Sequence, residues 1–252
     1  MKKILIPVSF SKSSENSLRH AALLYEEVVL TLLNVYPVKK YSRKYNFGKE
    51  KYSVGIRGML RNFYNLNVKE PRPRAIFLAH SGTTSQSVDQ ISSQYDLMVL
   101  SRKAHPSKKN GYFTNKKLFI ATHAHCPVLI MPFTKTNFKL EDCNHVWHIQ
   151  RKKSESKVVS KGMTKLRIKP EKMEVKSLQQ TNFISSFWEN IVAYENSHDE
   201  KLLRKIDEAH DSELIDLIVL VDNEQSIFTK FFKSDVIHLF CKYGIPILIF
   251  RK

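Results

Sequence analysis

The chain has 252 residues, of which 42% are hydrophobic, 11% aromatic and 26% charged. This composition fits one large or two ordinary folded domains and excludes a disordered, collagen-like or low-complexity chain. No apolar run approaches the roughly 18–20 residues that span a bilayer, which argues against an integral membrane protein. The three cysteines are too few for a disulfide framework, so we expect a reducing, cytoplasmic setting.

Positive charge is concentrated in the first part of the chain. Residues 1–138 contain 22 Lys and Arg against 7 Asp and Glu, a net charge of +15, whereas residues 139–252 contain 19 against 17, a net charge of +2. Such a field attracts nucleic acid, acidic membrane surfaces, phosphorylated metabolites and acidic proteins. The simpler explanation is a solvated basic face that keeps the protein in solution.

Strands and helices alternate through the first half. Short apolar runs predict strands at 4–8, 28–35, 75–79, 96–100 and 128–131. The first run is expected to be a buried strand rather than part of a signal peptide. Serine caps and helical spacing predict helices after residues 11–14, over 52–64 and 83–93, and near 114–125. This alternation indicates a parallel sheet with right-handed crossovers.

The second half repeats the pattern of the first. Residues 75–101 and 191–221 each predict a strand, a polar turn with a helix, and a second strand opened by Asp96 or Asp216. A proline-led strand ends each copy, and in the second copy an apolar helical stripe over 228–243 precedes it, with Gly244 as the expected C-cap. A period near half the chain length indicates two domains, which we place at 1–138 and 139–252.

The start of the second copy is the least regular part of the chain. Residues 145–149 are a candidate for its first strand. Residues 151–176 contain ten basic and three acidic residues with weak periodicity. We therefore expect a linker, an irregular insertion or a frayed strand there.

Several stretches resemble the universal stress protein family, here as a tandem pair. They are ILIPVSFSKSSENSLRHA, LTLLNVY and YDLMVLS…HAHCPVLIMP in the first copy, and LIDLIVLV and YGIPILIF in the second. The resemblance implies an α/β fold of two Rossmann-like domains of the adenine nucleotide alpha hydrolase type, each with a parallel five-stranded sheet, the second one degenerate. It also implies that Val128–Met131 pairs with Ile247–Phe250, making an intramolecular pseudo-dimer.

Many members of that family bind ATP through Gly-x2-Gly-x9-Gly-(Ser/Thr) after the fourth strand, because phosphate must approach the backbone closely. Here all three glycines are absent, and the family's acidic residue after the first strand is absent too. The remnant positions implied by the resemblance are Ser9, Val35, Ser101, Ala104, Thr114 and Asn115. We therefore expect no cofactor and no ATP binding of the usual kind.

A basic loop follows the fourth strand. Its possible anion contacts are Arg102, Lys103, Lys108 and Lys109. Their side chains could hold an anion in place of backbone amides. The alternative is a solvated loop without a ligand.

The sequence contains little evidence for a metal site or for a catalytic site. The candidate zinc ligands are His123, His125 and Cys126 in one group and Cys143, His145 and His148 in another, but no spacing matches a closed zinc motif. The chain contains no nucleophile elbow, Walker loop or dinucleotide fingerprint. We expect Asp96 and Asp216 to orient their strands rather than act as acids or bases, and we expect neither a metal site nor enzyme activity.

Two functions of different class are compatible with these observations. The first is a non-catalytic stress-response or regulatory protein that acts through a protein partner or self-association. The alternative is a binding module for an anionic ligand, a nucleotide or a nucleic acid, on the basic surface of the first domain.

Overall fold

The computed structural model describes residues 1–37, 49–102, 115–133, 138–150, 153–177, 215–222 and 244–251. The strands are β1 Lys2–Pro7, β2 Val28–Tyr36, β3 Arg74–Ser81, β4 Leu97–Ser101, β5 Val128–Met131, β6 His145–Gln150, β7 Lys172–Ser177, β8 Leu217–Asp222 and β9 Ile247–Arg251. The helices are α1 Lys12–Leu23, α2 Lys49–Asn67, α3 Thr84–Ile91, α4 Asn115–His123 and α5 Glu155–Lys165. Within these ranges, no helix is long and apolar enough to cross a membrane.

All nine strands belong to one sheet, in the order β3-β2-β1-β4-β5-β9-β8-β6-β7. Seven of the eight neighbouring pairs are parallel, and the pair β5–β9 is antiparallel. The first half contributes five parallel strands, and the second half contributes four described ones in the corresponding order. The α/β class and the predicted parallel arrangement of strands are confirmed.

Successive side chains along each strand point to opposite faces of the sheet, and a hydrophobic core lies on each face. Ile4 and Ile6 pack with residues of α1, α2 and α5, whereas Leu5 packs on the opposite face with residues of α3 and α4. Because helices cover both faces, the inner strands β2, β4, β5 and β9 are apolar at nearly every position. The continuous apolar runs seen in the sequence have this origin.

The two strands opened by aspartate use the same hydrogen-bond pair. Lys3 N donates to Asp96 Oδ2 at 3.0 Å, and Asp96 N donates back to Lys3 O at 2.9 Å. His145 N and Asp216 make the same exchange, both bonds being 2.9 Å. Each carboxylate thus aligns its strand with the neighbouring strand, as expected, and the structure repeats this contact in both halves.

Residues 151–176 are more regular than the sequence predicts. The expectation of a linker or irregular insertion is wrong, since this stretch contains α5 and most of β7. Val159, Met163 and Leu166 are buried at i, i+4 and i+7, and the lysines lie on the opposite, solvated side. The many basic residues hid a narrow apolar stripe. The expected strand at 145–149 is confirmed as β6.

The expectation of a separate sheet in each half is also wrong. Two separate sheets were expected, but β5 and β9 join the two halves into one. The strand pairing that does this is the expected one: Leu129 lies opposite Leu248, and neither is exposed. The division at residues 138 and 139 stays a prediction, and the predicted strand near 191 and helix over 228–243 lie outside the described residues. Gly244 has a φ of 70°, as its expected capping position requires.

Hydrogen bonds cross between the halves on both faces of the sheet. Tyr25 Oη donates to Leu166 O at 3.1 Å, and Lys2 Nζ donates to Lys165 O, so the first half caps the end of α5. On the other face, Arg251 Nη2 donates to Ala121 O in α4 at 2.7 Å. Burial raises the pKa of Tyr25 well above its ordinary value, so its hydroxyl remains a donor. Each half therefore completes hydrogen bonds of a helix in the other.

Gly162 provides a test of the packing of α5 on the sheet. A Cβ there would lie 2.3 Å from a ring carbon of Phe250, which is 2% exposed and has no room to move. We expect Gly162→Ala to lower the free energy of unfolding by about 1–3 kcal/mol. The matched control is Gly55→Ala in α2, where nothing lies within 4 Å and a gain of about 0.5–1 kcal/mol is expected from helix propensity. Urea denaturation measures both; a loss of similar size in the two variants would contradict this packing.

The β5–β9 pair can be tested with a charge. Leu129→Lys or Leu248→Lys would bury an ammonium group opposite a leucine, which is costly without a partner. We expect the two halves to separate in stability, so that calorimetry records two melting transitions. Val54→Lys, at a position 59% exposed, should keep the wild-type profile. Two transitions in the unmodified protein would show that the pairing does not couple the halves.

Candidate functional site

A cavity of about 830 Å³ lies at the carboxyl ends of β1, β2 and β4. The chain leaves β1 toward β2 on one side and the sheet continues through β4 on the other, so this is the point where the strand order reverses. In open α/β sheets such a switch point is the usual place for a ligand, since neighbouring loops diverge there. The cavity is therefore the candidate site.

Serine hydroxyls form one wall of the cavity, at the start of α1. Ser9 Oγ lies 3.1 Å from the Oγ atoms of both Ser11 and Ser14, and Ser9 N donates to Ser14 Oγ at 3.0 Å. Ser11 caps α1 by accepting from Ser14 N. Ser9 is the position at which the resemblance places an acidic residue. Here an uncharged hydroxyl stands there, and it is engaged with its neighbours.

The backbone between β1 and α1 is bent at Phe10. This residue has a φ of 55°, which residues other than glycine seldom adopt. Its ring packs edge-on against Phe63 of α2, with ring centres 5.6 Å apart. The aromatic contact therefore holds the turn that presents the serines to the cavity.

The opposite wall is apolar and aromatic. Val35, one of the remnant positions, is half-buried near the end of β2 and lines the cavity beside Tyr36. Tyr36 packs edge-to-face against Tyr52 of α2, with ring centres 4.8 Å apart. Asn34 Nδ2 donates to Val8 O at 2.8 Å and ties the ends of β2 and β1 together. This wall offers flat apolar surface and no charge.

Ser101 ends β4 and is 1% exposed. Asn16 Nδ2 donates to Ser101 Oγ at 2.6 Å and to Pro132 O at 2.8 Å, which links α1 to the ends of β4 and β5. From α4, Lys117 Nζ donates to Ser101 O. We call Asn16, Ser101 and Lys117 the Ser101 cluster. The side chains of Asn16 and Lys117 both bond to Ser101, at the position where the nucleotide motif of the resemblance would begin with a glycine.

The other predicted site residues are only partly within the described chain. Arg102 is 4% exposed, and its backbone N donates to Met131 O at 3.1 Å. Asn115 is the first residue of α4. Ala104, Thr114, Lys103, Lys108 and Lys109 lie outside the described residues, and their roles stay predictions.

Sequence reasoning did not single out Asn16 or Tyr52. Asn16 lies in the second turn of α1 between the buried Ser14 and Leu18. Asn16 could have been identified from the sequence because it is a polar residue in the first turns of a helix that follows a strand. Tyr52 had no comparable signal, because its contact with Tyr36 is between a helix and the preceding strand and has no local sequence pattern.

The candidate metal ligands His123 and His125 make other contacts. His125 Nε2 lies 2.8 Å from Asp89 Oδ1, and His123 Nδ1 lies 2.8 Å from Phe119 O. Cys126 and Cys143 are buried in the cores on opposite faces of the sheet, and burial raises the pKa of Cys126 to about 12. In the part of the chain that the structure describes, no three His, Cys, Asp or Glu residues are grouped as a metal would require.

His148 on β6 is fully buried, and neither of its ring nitrogens has a hydrogen-bond partner among the described residues. Burial lowers the pKa of His148 below its ordinary value, and the carboxylate of the buried Glu155 opposes this shift. The imidazole is therefore neutral in the folded protein.

This burial predicts a pH dependence of stability. The folded pKa lies below the unfolded one, about 6.5, so the contribution of neutral His148 is complete above that pH and is lost as the pH falls below it. We expect the urea midpoint to fall between pH 7 and pH 5, and His148→Leu to flatten that fall. His80→Gln, at the end of β3, is the control and should keep the wild-type slope. An unchanged slope in His148→Leu would assign the effect to other groups.

Several solved structures are similar to this chain. A universal stress protein from Archaeoglobus fulgidus DSM 4304 is similar over 100% of this chain and 96% of its own, with a TM-score of 0.59 and 12% identity. A functionally unknown protein from Pseudomonas aeruginosa PAO1 matches over 100% of this chain and 92% of its own, at 0.49 and 12%. Universal stress protein UspA from Lactobacillus plantarum matches 51% of this chain and 96% of its own, at 0.40 and 15%.

No family model matches the sequence, and no curated protein matches it. The similarity to the A. fulgidus protein shows that this chain has the universal stress protein fold. The sequence resemblance is thereby confirmed at the level of the fold.

Proposed function

We propose that this chain is a non-catalytic regulatory protein of the universal stress protein type, which acts through contact with other proteins and does not bind ATP in the way usual for that family. The observation that carries the proposal is the Ser101 cluster. It places a serine side chain and two hydrogen-bond donors where a bound phosphate would need open backbone.

The chemistry of phosphate binding supports this proposal. A phosphate approaches backbone N–H groups closely only where side chains are absent, which is why glycines open such loops. Ser101 is enclosed by Asn16, and the ammonium group of Lys117 is already directed to a carbonyl of the protein. Ser9 supplies a hydroxyl where a carboxylate would hold a ribose. At these two described positions, Ser9 and Ser101, an internal contact thus stands in place of the usual one.

The residues around the cavity support a non-catalytic role. Among the described residues that line it there is no His, Cys, Asp or Glu. Lys12 is bridged to Glu15 at 3.2 Å, and Lys117 is bonded within the Ser101 cluster. A general acid or base within reach of a ligand, paired with a nucleophile, is the minimum for most hydrolytic chemistry. The described wall does not supply that pair.

The pairing of β5 with β9 supports an intramolecular pseudo-dimer. An unpaired β5 would be an open edge for another chain, but here β9 of the same chain occupies it. Because the two halves are covalently joined, this contact forms at high effective concentration. Protein partners therefore need a different surface.

A second candidate is binding of an anionic ligand by the first half. What favours it is the cavity of about 830 Å³ with Lys12 and Lys117 on its wall. The net charge of +15 over residues 1–138 would raise the local concentration of anions at its mouth.

A thermal shift experiment separates the two candidates. A ligand at 100 times its Kd adds about 2.7 kcal/mol to stability. We expect no rise in Tm with excess Mg-ATP, because the usual phosphate and ribose contacts are replaced. A clear rise, or a nucleotide that co-purifies with the protein, would overturn the proposal.

Heparin provides the second arm of the same experiment. Stabilisation by heparin that falls steeply with salt would favour the anion-binding candidate. Lys117→Gln should then remove the effect if the cavity is responsible, whereas Lys161→Gln on the exposed side of α5 should not.

A further inference from the structure

β3 is one of the two terminal strands of the described sheet, the other being β7. It pairs with β2 over eight consecutive residues, from Val29 opposite Arg74 to Tyr36 opposite Ser81. Its other edge has no strand partner in the described part of the chain. At eight residues it is longer than a typical strand, and long straight edges are templates for a further strand.

The geometry identifies which backbone groups face outward. Gly82 N donates to Tyr36 O at 2.9 Å, which fixes the alternation along β3. Residues 76, 78 and 80 then direct their N–H and C=O groups to β2. Ala75, Phe77, Ala79 and Ser81 direct theirs to the outer edge. The edge therefore offers four regularly spaced pairs of donors and acceptors.

The usual protections of an edge strand are few here. β3 contains no proline and no charged residue after Arg74, and its pairing with β2 runs without a bulge. Ile76 is 41% exposed on one face of the strand. On the other face, Phe77 packs against Tyr64 of α2, with ring centres 5.9 Å apart, so α2 supports the strand. A supported, weakly protected edge favours strand addition.

The surroundings of this edge are basic. The guanidinium carbon of Arg61 lies 5.8 Å from the centre of the Phe77 ring, and Arg74 is exposed at the start of the strand. Arg72, nearby, is bridged to Glu70 at 3.0 Å. Two copies of this chain meeting here would repel, because each first half carries a net charge of +15. The charge complementarity is instead that of an acidic segment.

We propose that the outer edge of β3 binds an extended, acidic segment of a partner protein by adding it to the sheet as a tenth strand. The backbone of Ala75, Phe77 and Ala79 forms the ladder, and Arg61 and Arg74 select negative side chains. This inference rests on the proposed role in protein contact and adds the partner's chemistry to it.

The test uses the full chain and a fluorescent octapeptide of alternating Glu and Val. We expect saturable binding, at least about tenfold tighter than that of the same peptide with Lys in place of Glu. N-methylation of alternate peptide amides should remove binding, because it removes the hydrogen bonds to the edge without changing charge. The ATP experiment is read separately, so either proposal can fail without the other.

Variants locate the site. Arg74→Glu should weaken binding by about tenfold or more, whereas Lys161→Glu on α5, with the same change in net charge, should change it less than about twofold. Ala79→Pro removes an outward N–H that β2 does not use and should also weaken binding. Amide hydrogen exchange should show new protection at Phe77 and Ala79 when the peptide is added.

Three outcomes would overturn the proposal. The first is no binding of the acidic peptide up to millimolar concentration. The second is equal binding of the N-methylated peptide, which would mean a charged surface without strand addition. The third is displacement of the peptide by single-stranded DNA with the same dependence on Arg74 and none on Ala79, which would assign the surface to nucleic acid.

Discussion

Three residue pairs of the β5–β9 ladder, Val128 with Ile249, Leu129 with Leu248 and Ile130 with Ile247, join two parallel arrays of strands into one sheet. The paired residues of both strands are all apolar, and either strand alone would be an exposed edge prone to pairing with another chain. The antiparallel contact satisfies the edges of both arrays at once.

The helices depend on this junction as well. The last carbonyls of a helix lack partners within the helix and must find them elsewhere. Leu166 O at the end of α5 accepts from Tyr25, and Ala121 O in α4 accepts from Arg251. These contacts lie on opposite faces of the sheet and both cross between the halves. Separation of β5 from β9 would therefore expose helix carbonyls as well as apolar strands.

Much of the fold could be predicted from the sequence, because strands buried on both faces appear as unbroken apolar runs. The pairing of Val128–Met131 with the last strand followed from the resemblance. The helix α5 could not be predicted, since Lys157 and Lys161 on its solvated side outweigh a stripe of three buried residues. Without the resemblance, the pairing of Val128–Met131 with the last strand could not have been predicted, because edge-to-edge pairing of distant strands has no local pattern.

The absence of the usual glycine at the candidate site could be predicted from the sequence, but the contacts that replace it could not. Counting from Pro127 shows that Ser101 stands in place of a glycine, but not that Asn16 and Lys117 would turn toward it. Those contacts come from α1 and α4, which the sheet brings together at the end of β4. Their effect is to satisfy polar groups at the end of β4 from within the chain, so this end of the cavity needs no bound anion to be stable. Two outer edges, those of β3 and β7, have no strand partner in the described chain. Charged residues recur along β7, whereas β3 has none after Arg74, so the edge of β3 is the less protected of the two.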